Sequence, residues 1–400
     1  MTVITPLQST DEILDRAQEL ACQYALEAAE RDRERRFPTE EMRQFRTSGL
    51  QALFVPKDEG GSGARYSDAV RAVRIMAEGD PNIAQMAFIH IHGVELYNLS
   101  MPADLVSAHN KRVVAGELFW TNAYSELGGK STFDYRVKIE RDGEDWVING
   151  TKFYSTGSLA GDEAYINGVN PETGEILLAY VPMDAEGVTI HDDWAAMGQR
   201  TTASGTTDFK NVHITPDRIS PTALVETLSG PDSLILGVLP QAFWGAFLLG
   251  IARNALSDAA SYVAKRARPW IHSGVDRAAE DLLVQRQMGE IAARVDAAAA
   301  LQDVAYGLMD EAHEHLTPET RGRAAIAMHK SKIMVVEAAL KAGEGLFQMC
   351  GSASTLDKLN LGRHWRNART LSLHDAMHYK EQIVGDYVIN GNLPPVSFYT

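Results

Sequence analysis

Cysteine is nearly missing from this chain: there are two in 400 residues, Cys22 and Cys350, close to opposite ends. Thiols so placed argue against a disulfide framework and against a multi-cysteine metal site, and suit a reducing, cytoplasmic compartment. Basic charge is also short. Lys and Arg number 38 against 53 Asp and Glu, a net charge of −15. That sign repels phosphate backbones and anionic lipid surfaces, so no nucleic acid and no membrane is expected as a partner. The opening Met1-Thr-Val-Ile-Thr-Pro6 has neither a basic n-region nor an apolar run, and no export signal is expected.

Familiar catalytic signatures are absent as well. No His-Glu-x-x-His, Cys-x-x-Cys or Gly-x-Ser-x-Gly occurs, which removes the common zinc and serine hydrolase patterns. Gly61-Ser-Gly63 has Tyr66 where a dinucleotide fingerprint needs its third glycine, and reads as a turn. Gly129-Lys130-Ser131 resembles the end of a phosphate loop but has Tyr124 in place of the first glycine; Asp310-Glu-Ala-His313 resembles a helicase box without its partner loop. His313 and His315, two positions apart, would point about 200° apart on a helix and read as surface residues. No metal site is expected.

What remains is an ordinary globular composition, 45% hydrophobic and 23% charged, in a chain long enough for two or three domains. From Thr10 to Arg35 the apolar residues Ile13, Ala17, Leu20, Ala21, Tyr24, Ala25 and Ala28 fall at helical spacing, and the mixed-charge tail Glu30–Arg36 is expected to be solvated. The texture changes after Lys111. Tyr135, Val137 and Ile139 alternate with Arg136, Lys138 and Glu140, Asp142-Gly143 marks a hairpin, and strands follow at 146–148, 152–155, 176–181, 188–191 and 209–214. Beyond Ser220 helices return: Met288, Ile291, Val295, Leu301, Val304 and Leu308 form one face, and Thr317-Pro318-Glu319 opens the next helix. The fold class is α+β, mainly α: an N-terminal helical domain over 1–110, a central antiparallel β domain over 111–220 and a C-terminal helical bundle over 221–400. The uncharged run Ser233–Ala252 has the length of a membrane span. Pro240-Gln241, the glycines at 237, 245 and 250, and the polar continuation to Lys265 favour a helix buried all round.

Four motifs in order resemble the acyl-CoA dehydrogenase superfamily: Phe54-Val-Pro-Lys-Asp-Glu-Gly-Gly-Ser-Gly63, Ile148-Asn-Gly-Thr-Lys-Phe-Tyr-Ser-Thr156, Trp194-Ala-Ala-Met-Gly-Gln-Arg200, and Gly250-Ile-Ala-Arg with Tyr262 and Arg266. The resemblance implies a four-helix C-terminal domain, a flavin between sheet and helices, and a homo-oligomer, usually a tetramer. A dehydrogenase of this kind needs a carboxylate to take the substrate α-proton. At one of its two usual places this chain has Leu371-Ser-Leu-His374-Asp-Ala-Met377, and the other falls in the carboxylate-free run 233–252. Asp375 is a weak substitute. Arg363-His-Trp-Arg-Asn-Ala-Arg-Thr370, Leu373-His-Asp375, Tyr379-Lys and Val384-Gly are instead similar to the flavin-dependent monooxygenases built on this fold, the dibenzothiophene monooxygenase group among them. One departure is Leu371, where that group carries a further histidine.

That resemblance implies a two-component enzyme. A separate NAD(P)H:flavin reductase supplies reduced FMN, with FAD the alternative, and O₂ converts it to a C4a-hydroperoxide that oxygenates the substrate. His374 and His92 are the implied active-site histidines, with His90 the competitor for the second and a helix-capping role the alternative for the first. Tyr154 is the implied aromatic against the flavin ring and Thr156 the hydroxyl near N5; Ser155 and Ser158 stay open because a strand alternates faces. Asn122, Ser125 and Trp194 are further implied cofactor contacts, Tyr97 a weaker one. Arg266, with Arg268 nearby, is implied to meet the cofactor phosphate across a subunit boundary. Phe243, Trp244 and Phe247 bring rings and no charge to the flavin side, so the expected substrate is small, neutral and apolar: an aromatic, organosulfur, indole or amine compound. The competing function is an FAD-dependent acyl-CoA dehydrogenase.

Overall fold

The computed structural model describes residues 4–129, 134–222, 233–397 and 399–400; Lys130 and Ser131 of the phosphate-loop look-alike lie outside them. The first helix, α1 (Thr10–Ala25), is capped by Ser9, whose hydroxyl accepts from the Glu12 N–H, and buries Ile13, Ala17, Leu20, Ala21 and Tyr24. It stops sooner than the periodicity implies, and a separate α2 (Ala28–Glu34) follows. The expected solvated tail is a correction. Arg31 and Asp32 are 1% and 2% exposed, because Arg31 pairs with Asp80 and Glu41 while Asp32 takes the guanidinium of Arg366. Charges bury when they are matched.

After α3 (Thr39–Arg46) and α4 (Tyr66–Gly79) comes α5 (Pro81–Ser100), which begins cleanly: Asp80 accepts from the Asn82 N–H, and Pro81 occupies the first turn, where a missing N–H costs nothing. Nearly every α5 residue from Pro81 to Leu96 is buried. Gly93 lets it lie against the next element, since a Cβ there would sit 2.7 Å from that of Trp120. Helix α6 (Ala103–Val114) completes the N-terminal layer.

Seven strands form one sheet: β1 (Trp120–Ala123), β2 (Lys138–Asp142), β3 (Asp145–Lys152), β4 (Glu163–Val169), β5 (Ile176–Pro182), β6 (Val188–Ile190) and β7 (Thr207–Ile214). The hairpin at Asp142-Gly143 pairs β2 with β3 as expected. Strands β1 and β4 were not legible beforehand, and β4 pairs in parallel with β1 and, through Lys138 and Val169, with β2. The sheet is therefore mixed, not purely antiparallel. Val137, Ile139, Ile148, Ile166, Val181, Phe209 and Val212 fill one face.

The C-terminal part is a bundle of α7 (Ser233–Leu236), α8 (Val238–Lys265), α9 (Leu282–Glu314), α10 (Pro318–Cys350), α11 (Gly362–Ser372) and α12 (Met377–Asn390). Gly237 separates α7 from α8, which puts Pro240 in the first turn of α8. This helix is the one in the described residues both long and apolar enough to cross a membrane, and 94% of its most apolar window is packed inside the protein. Helix α10 has the Thr317 cap and first-turn Pro318 that its sequence announces. On α9 the buried stripe runs through Ile291, Val295, Ala298, Gln302, Ala305 and Met309; Val304, assigned to that face from the sequence, is 60% exposed. Both cysteines are free.

Candidate active site

Where α5, β1, β4 and α8 meet, they enclose a cleft of about 160 Å³. Phe88, Ile89 and His92 come from α5, Asn122, Tyr124 and Ser125 from β1 and the turn after it, and Tyr165 from β4. Leu236, Pro240, Gln241 and Trp244 come from α7 and α8; Tyr135, His374 and Tyr399 close it.

Helix geometry decides between the two α5 histidines. Positions two apart point about 200° from one another, so only one faces the cleft. His90 turns away: Nε2 meets the Gln51 carbonyl at 2.9 Å, Nδ1 accepts from the Trp120 N–H at 3.0 Å, and the ring stacks on Phe119. His92 faces the cleft. Its Nε2 lies 2.8 Å from the Ile235 carbonyl, which can only accept, so Nε2 carries the proton and the buried, unpartnered Nδ1 is a lone pair. Burial pushes its pKa down to about 4, so the ring is neutral near pH 7.

His374 is fixed from two sides. Its Nδ1 is 3.0 Å from Asp375 Oδ1, and its ring stacks on Trp244. Asp375 is buried between two ammonium groups: Lys332 bonds Oδ2, and Lys380 lies 3.4 Å from the same oxygen. Burial opposes its charge, but Lys332, then His374 and Lys380, hold its carboxyl well below the usual carboxylate range. Lys332 reaches further and donates to Gln241 Oε1 at 2.6 Å.

Beside the cleft lies a shelf of aromatic residues. Phe153 accepts no side-chain role here; its N–H bonds the Ser125 carbonyl at 2.9 Å and so joins shelf to cleft. The next residue, Tyr154, has φ +59° and is 49% exposed. A bulky side chain in the left-handed region costs about 1–3 kcal/mol, and such strain concentrates at functional sites. Trp194 lies edge-on to Tyr154, centroids 5.8 Å apart, with its indole N–H on the Gln199 carbonyl. Thr156 Oγ1 bonds Ser204 Oγ at 2.8 Å, Ser204 bonds Thr202 at 2.7 Å, and Ser158 donates to the Ala203 carbonyl. The Ser155 hydroxyl and Asn122 Oδ1 are buried without partners. The turn carrying Asn122 and Ser125 is held from below by Lys152, whose Nζ bonds the Tyr124 carbonyl, Glu126 and Asn167. A flat ring system with polar edges fits here: it would cover the exposed Tyr154 and meet the orphaned Asn122 and Ser155 atoms.

Other residues named from the sequence lie elsewhere. Phe243 and Phe247 are fully buried behind Phe88 and do not line the cleft, so of the three α8 aromatics only Trp244 does. Tyr97 packs on His109, Trp120 and Tyr180, away from the cleft. Arg266 ends α8 and is exposed; it stands 22 positions beyond Trp244, about 33 Å along the axis. It cannot reach the cleft of its own chain. Phe88, Gln241, Lys332 and Ser204 carry no motif that marks them in the sequence, and Lys152, although inside the 148–156 motif, has no signal there for its supporting role.

Family models for the acyl-CoA dehydrogenase N-terminal, middle and C-terminal domains match residues 8–100, 123–212 and 242–379. The chain belongs to the acyl-CoA dehydrogenase family. Within it, it is a flavin-dependent monooxygenase of that fold, as its relatives indicate. A dibenzothiophene monooxygenase of Rhodococcus erythropolis is 34% identical over 399 residues, covering 96% of this chain and 94% of the relative. A probable FMNH₂-dependent monooxygenase of Pseudomonas putida, SfnC, is 30% identical, covering 96% of each. The dibenzothiophene monooxygenase TdsC from Paenibacillus sp. A11-2, solved with FMN and indole, superposes with a TM-score of 0.92 at 30% identity, over 97% of this chain and 99% of that one.

Proposed function

We propose that this chain is the oxygenase component of a two-component system. It takes reduced FMN, delivered by diffusion from a separate NAD(P)H:flavin reductase, and adds one atom of O₂ to a small, largely apolar substrate while the other leaves as water. The observation that carries this is the make-up of the cleft: two imidazoles, an indole and apolar walls, with no carboxylate among the described lining residues. Acyl-CoA dehydrogenation requires a carboxylate base. Asp375 stands behind His374, pinned by Lys332 and Lys380, and its depressed pKa makes it a poor one. The FMN found in TdsC and the FMNH₂ dependence in the name of SfnC support the choice of cofactor.

Bound reduced FMN would supply the two electrons and the ring carbon at which O₂ is activated. The chain's own residues do the rest. Tyr154 and Trp194 give the ring an aromatic shelf, and Asn122, Ser125, Ser155 and Thr156 offer it polar contacts. His92 is a neutral acceptor at Nδ1. His374 donates Nδ1–H to Asp375, which leaves Nε2 as the atom that holds or moves a proton as the second oxygen departs. Phe88, Leu236, Tyr165 and Trp244 exclude water, without which activated oxygen escapes as hydrogen peroxide. Because Arg266 is too far from its own cleft, it would hold the FMN phosphate in a neighbouring subunit's site, within a homo-oligomer, a tetramer by family habit. The cytoplasm is the compartment in which such a reductase and its NAD(P)H are found.

The test is anaerobic titration of the purified protein with reduced FMN, followed by oxygen and a sulfur heterocycle or indole. Saturable binding and a product heavier by one oxygen are expected. Turnover of an acyl-CoA with no oxygenated product would overturn the reading.

A further inference from the structure

Gln241 is the one amide side chain that α8 contributes to the cleft, and its orientation is set from behind. Lys332 Nζ donates to Gln241 Oε1 at 2.6 Å while also bonding Asp375, and both residues are at most 2% exposed. An ammonium has three donors and no acceptor, so flipping the amide would set its NH₂ against another donor. Lys332 is itself held, since leaving Asp375 would take from a buried carboxylate its closest cation and leave Lys380, 3.4 Å away, as its remaining ammonium. The amide is therefore held with oxygen toward Lys332 and nitrogen toward the cleft.

We propose that Gln241 is a specificity-determining residue that presents its NH₂ as a fixed hydrogen-bond donor to substrate, and that Lys332 positions it. This rests on the monooxygenase reading for the identity of the pocket and goes beyond it in the substrate it selects. The favoured substrate carries an acceptor oxygen on its apolar frame, such as a sulfoxide, sulfinate or carbonyl oxygen. A frame that presents an N–H at the same place, as indole does, meets donor against donor. Two unpartnered acceptors also line the cleft, His92 Nδ1 and Asn122 Oδ1, but they stand on α5 and β1; they can take an N–H presented to them and do not change what the Gln241 amide on α8 presents. The buried charges behind Gln241 are Lys332, Lys380 and Asp375, two positive against one negative; neighbouring His329 is kept neutral, burial first and then both lysines lowering its pKa to about 3. An acceptor that bears negative charge is favoured further by that balance.

The test is equilibrium binding to the FMN-loaded protein, followed by tryptophan fluorescence and calorimetry, so that it does not depend on turnover. Three bicyclic probes share one frame: 1-indanone with an acceptor oxygen, indole with a donor and indene with neither. Benzenesulfinate tests the anionic arm. One hydrogen bond at a buried site corresponds to roughly three- to ten-fold in affinity, so indanone is expected to bind that much more tightly than indene, and indole no more tightly than indene. Benzenesulfinate binding above indanone assigns an oxyanion; indanone above benzenesulfinate assigns a neutral oxygen. Gln241→Met should erase the preference for indanone over indene. Lys332→Met frees the amide to turn, so indole should gain on indanone; a merely structural role would weaken all probes alike. If Lys332→Met does not fold, Gln241→Met decides. Indole binding as tightly as indanone to the unaltered protein, or an unchanged ratio in Gln241→Met, overturns the proposal. Failure to oxygenate any substrate with these ratios intact would count against the monooxygenase reading and not against this one.

Discussion

The imidazole of His374 lies against the indole of Trp244, ring centroids 3.8 Å apart and planes 24° from parallel. The stack fixes the face of the imidazole, and Asp375 fixes its edge through Nδ1. A proton-handling group gains from such double restraint, because a small displacement from the reacting atom is costly in rate.

Replacing His374 by Ala should leave reduced FMN bound and lower oxygenation by roughly 10²- to 10⁴-fold, the usual share of a positioned acid or base. Hydrogen peroxide should take the place of product. Trp244→Leu keeps His374 and Asp375 but removes the stacking face, so its product-to-peroxide ratio should fall between the two. Measuring product and peroxide per NADH consumed checks both, and an unchanged ratio in His374→Ala would remove that residue from the mechanism.

Thr156 and Ser155 divide differently than their adjacency implies. Thr156→Val breaks the hydroxyl chain to Ser204 and Thr202, whereas Ser155→Ala removes a buried hydroxyl that has no protein partner. Ser155→Ala should therefore not weaken the apoprotein in urea denaturation, since no hydrogen bond is lost, and Thr156→Val should cost it about 1 kcal/mol. The variant that also raises peroxide leakage identifies the hydroxyl nearest the reacting ring.

Five histidines are buried neutral, with burial as the leading cause: His90 and His329 are pushed down to about 3, His92, His109 and His364 to about 4. Between pH about 6.5 and 4 the unfolded chain binds protons there that the folded chain does not, so stability falls as pH falls. Each group contributes a slope of about 1.4 kcal/mol per pH unit at most. Thermal unfolding from pH 7.5 to 5 should show a steep loss below pH 6.5; a flat profile would contradict the neutral assignment of His92 on which its acceptor role depends.

Arg31→Met should destabilise the protein by about 3–5 kcal/mol, because it leaves the buried Asp80 carboxylate without its cation. Asp80 also caps α5, the helix that carries His92. Chemical denaturation measures the cost, and a change under 1 kcal/mol would show that the pair is dispensable.

These residues also show what sequence can and cannot carry. The cap of α10 and the Asp142-Gly143 hairpin are local, so their signals sit within a few residues and are legible. That His90 and His92 diverge follows from helical period alone; which one enters the cleft depends on the Gln51 carbonyl and the Trp120 amide, far away in sequence. Phe243 and Phe247 misled because α8 is apolar on every side and has no periodicity to separate core from cleft. Lys332 is one lysine among several on α10, and only Asp375, 43 positions later, marks it out. Strand β4 was missed for a related reason: with nearly every position buried, it lacks the alternation that reveals a half-exposed strand.

One atom of O₂ should reach the substrate at the expense of reduced FMN. With NADH, an unrelated flavin reductase, FMN and ¹⁸O₂, the protein should yield a product carrying one ¹⁸O per oxygenation, read by mass spectrometry, with none from H₂¹⁸O. Product oxygen drawn from water, or NADH oxidised only to peroxide across sulfoxides, sulfinates, sulfur heterocycles and indoles while an acyl-CoA is desaturated without O₂ incorporation, would contradict it.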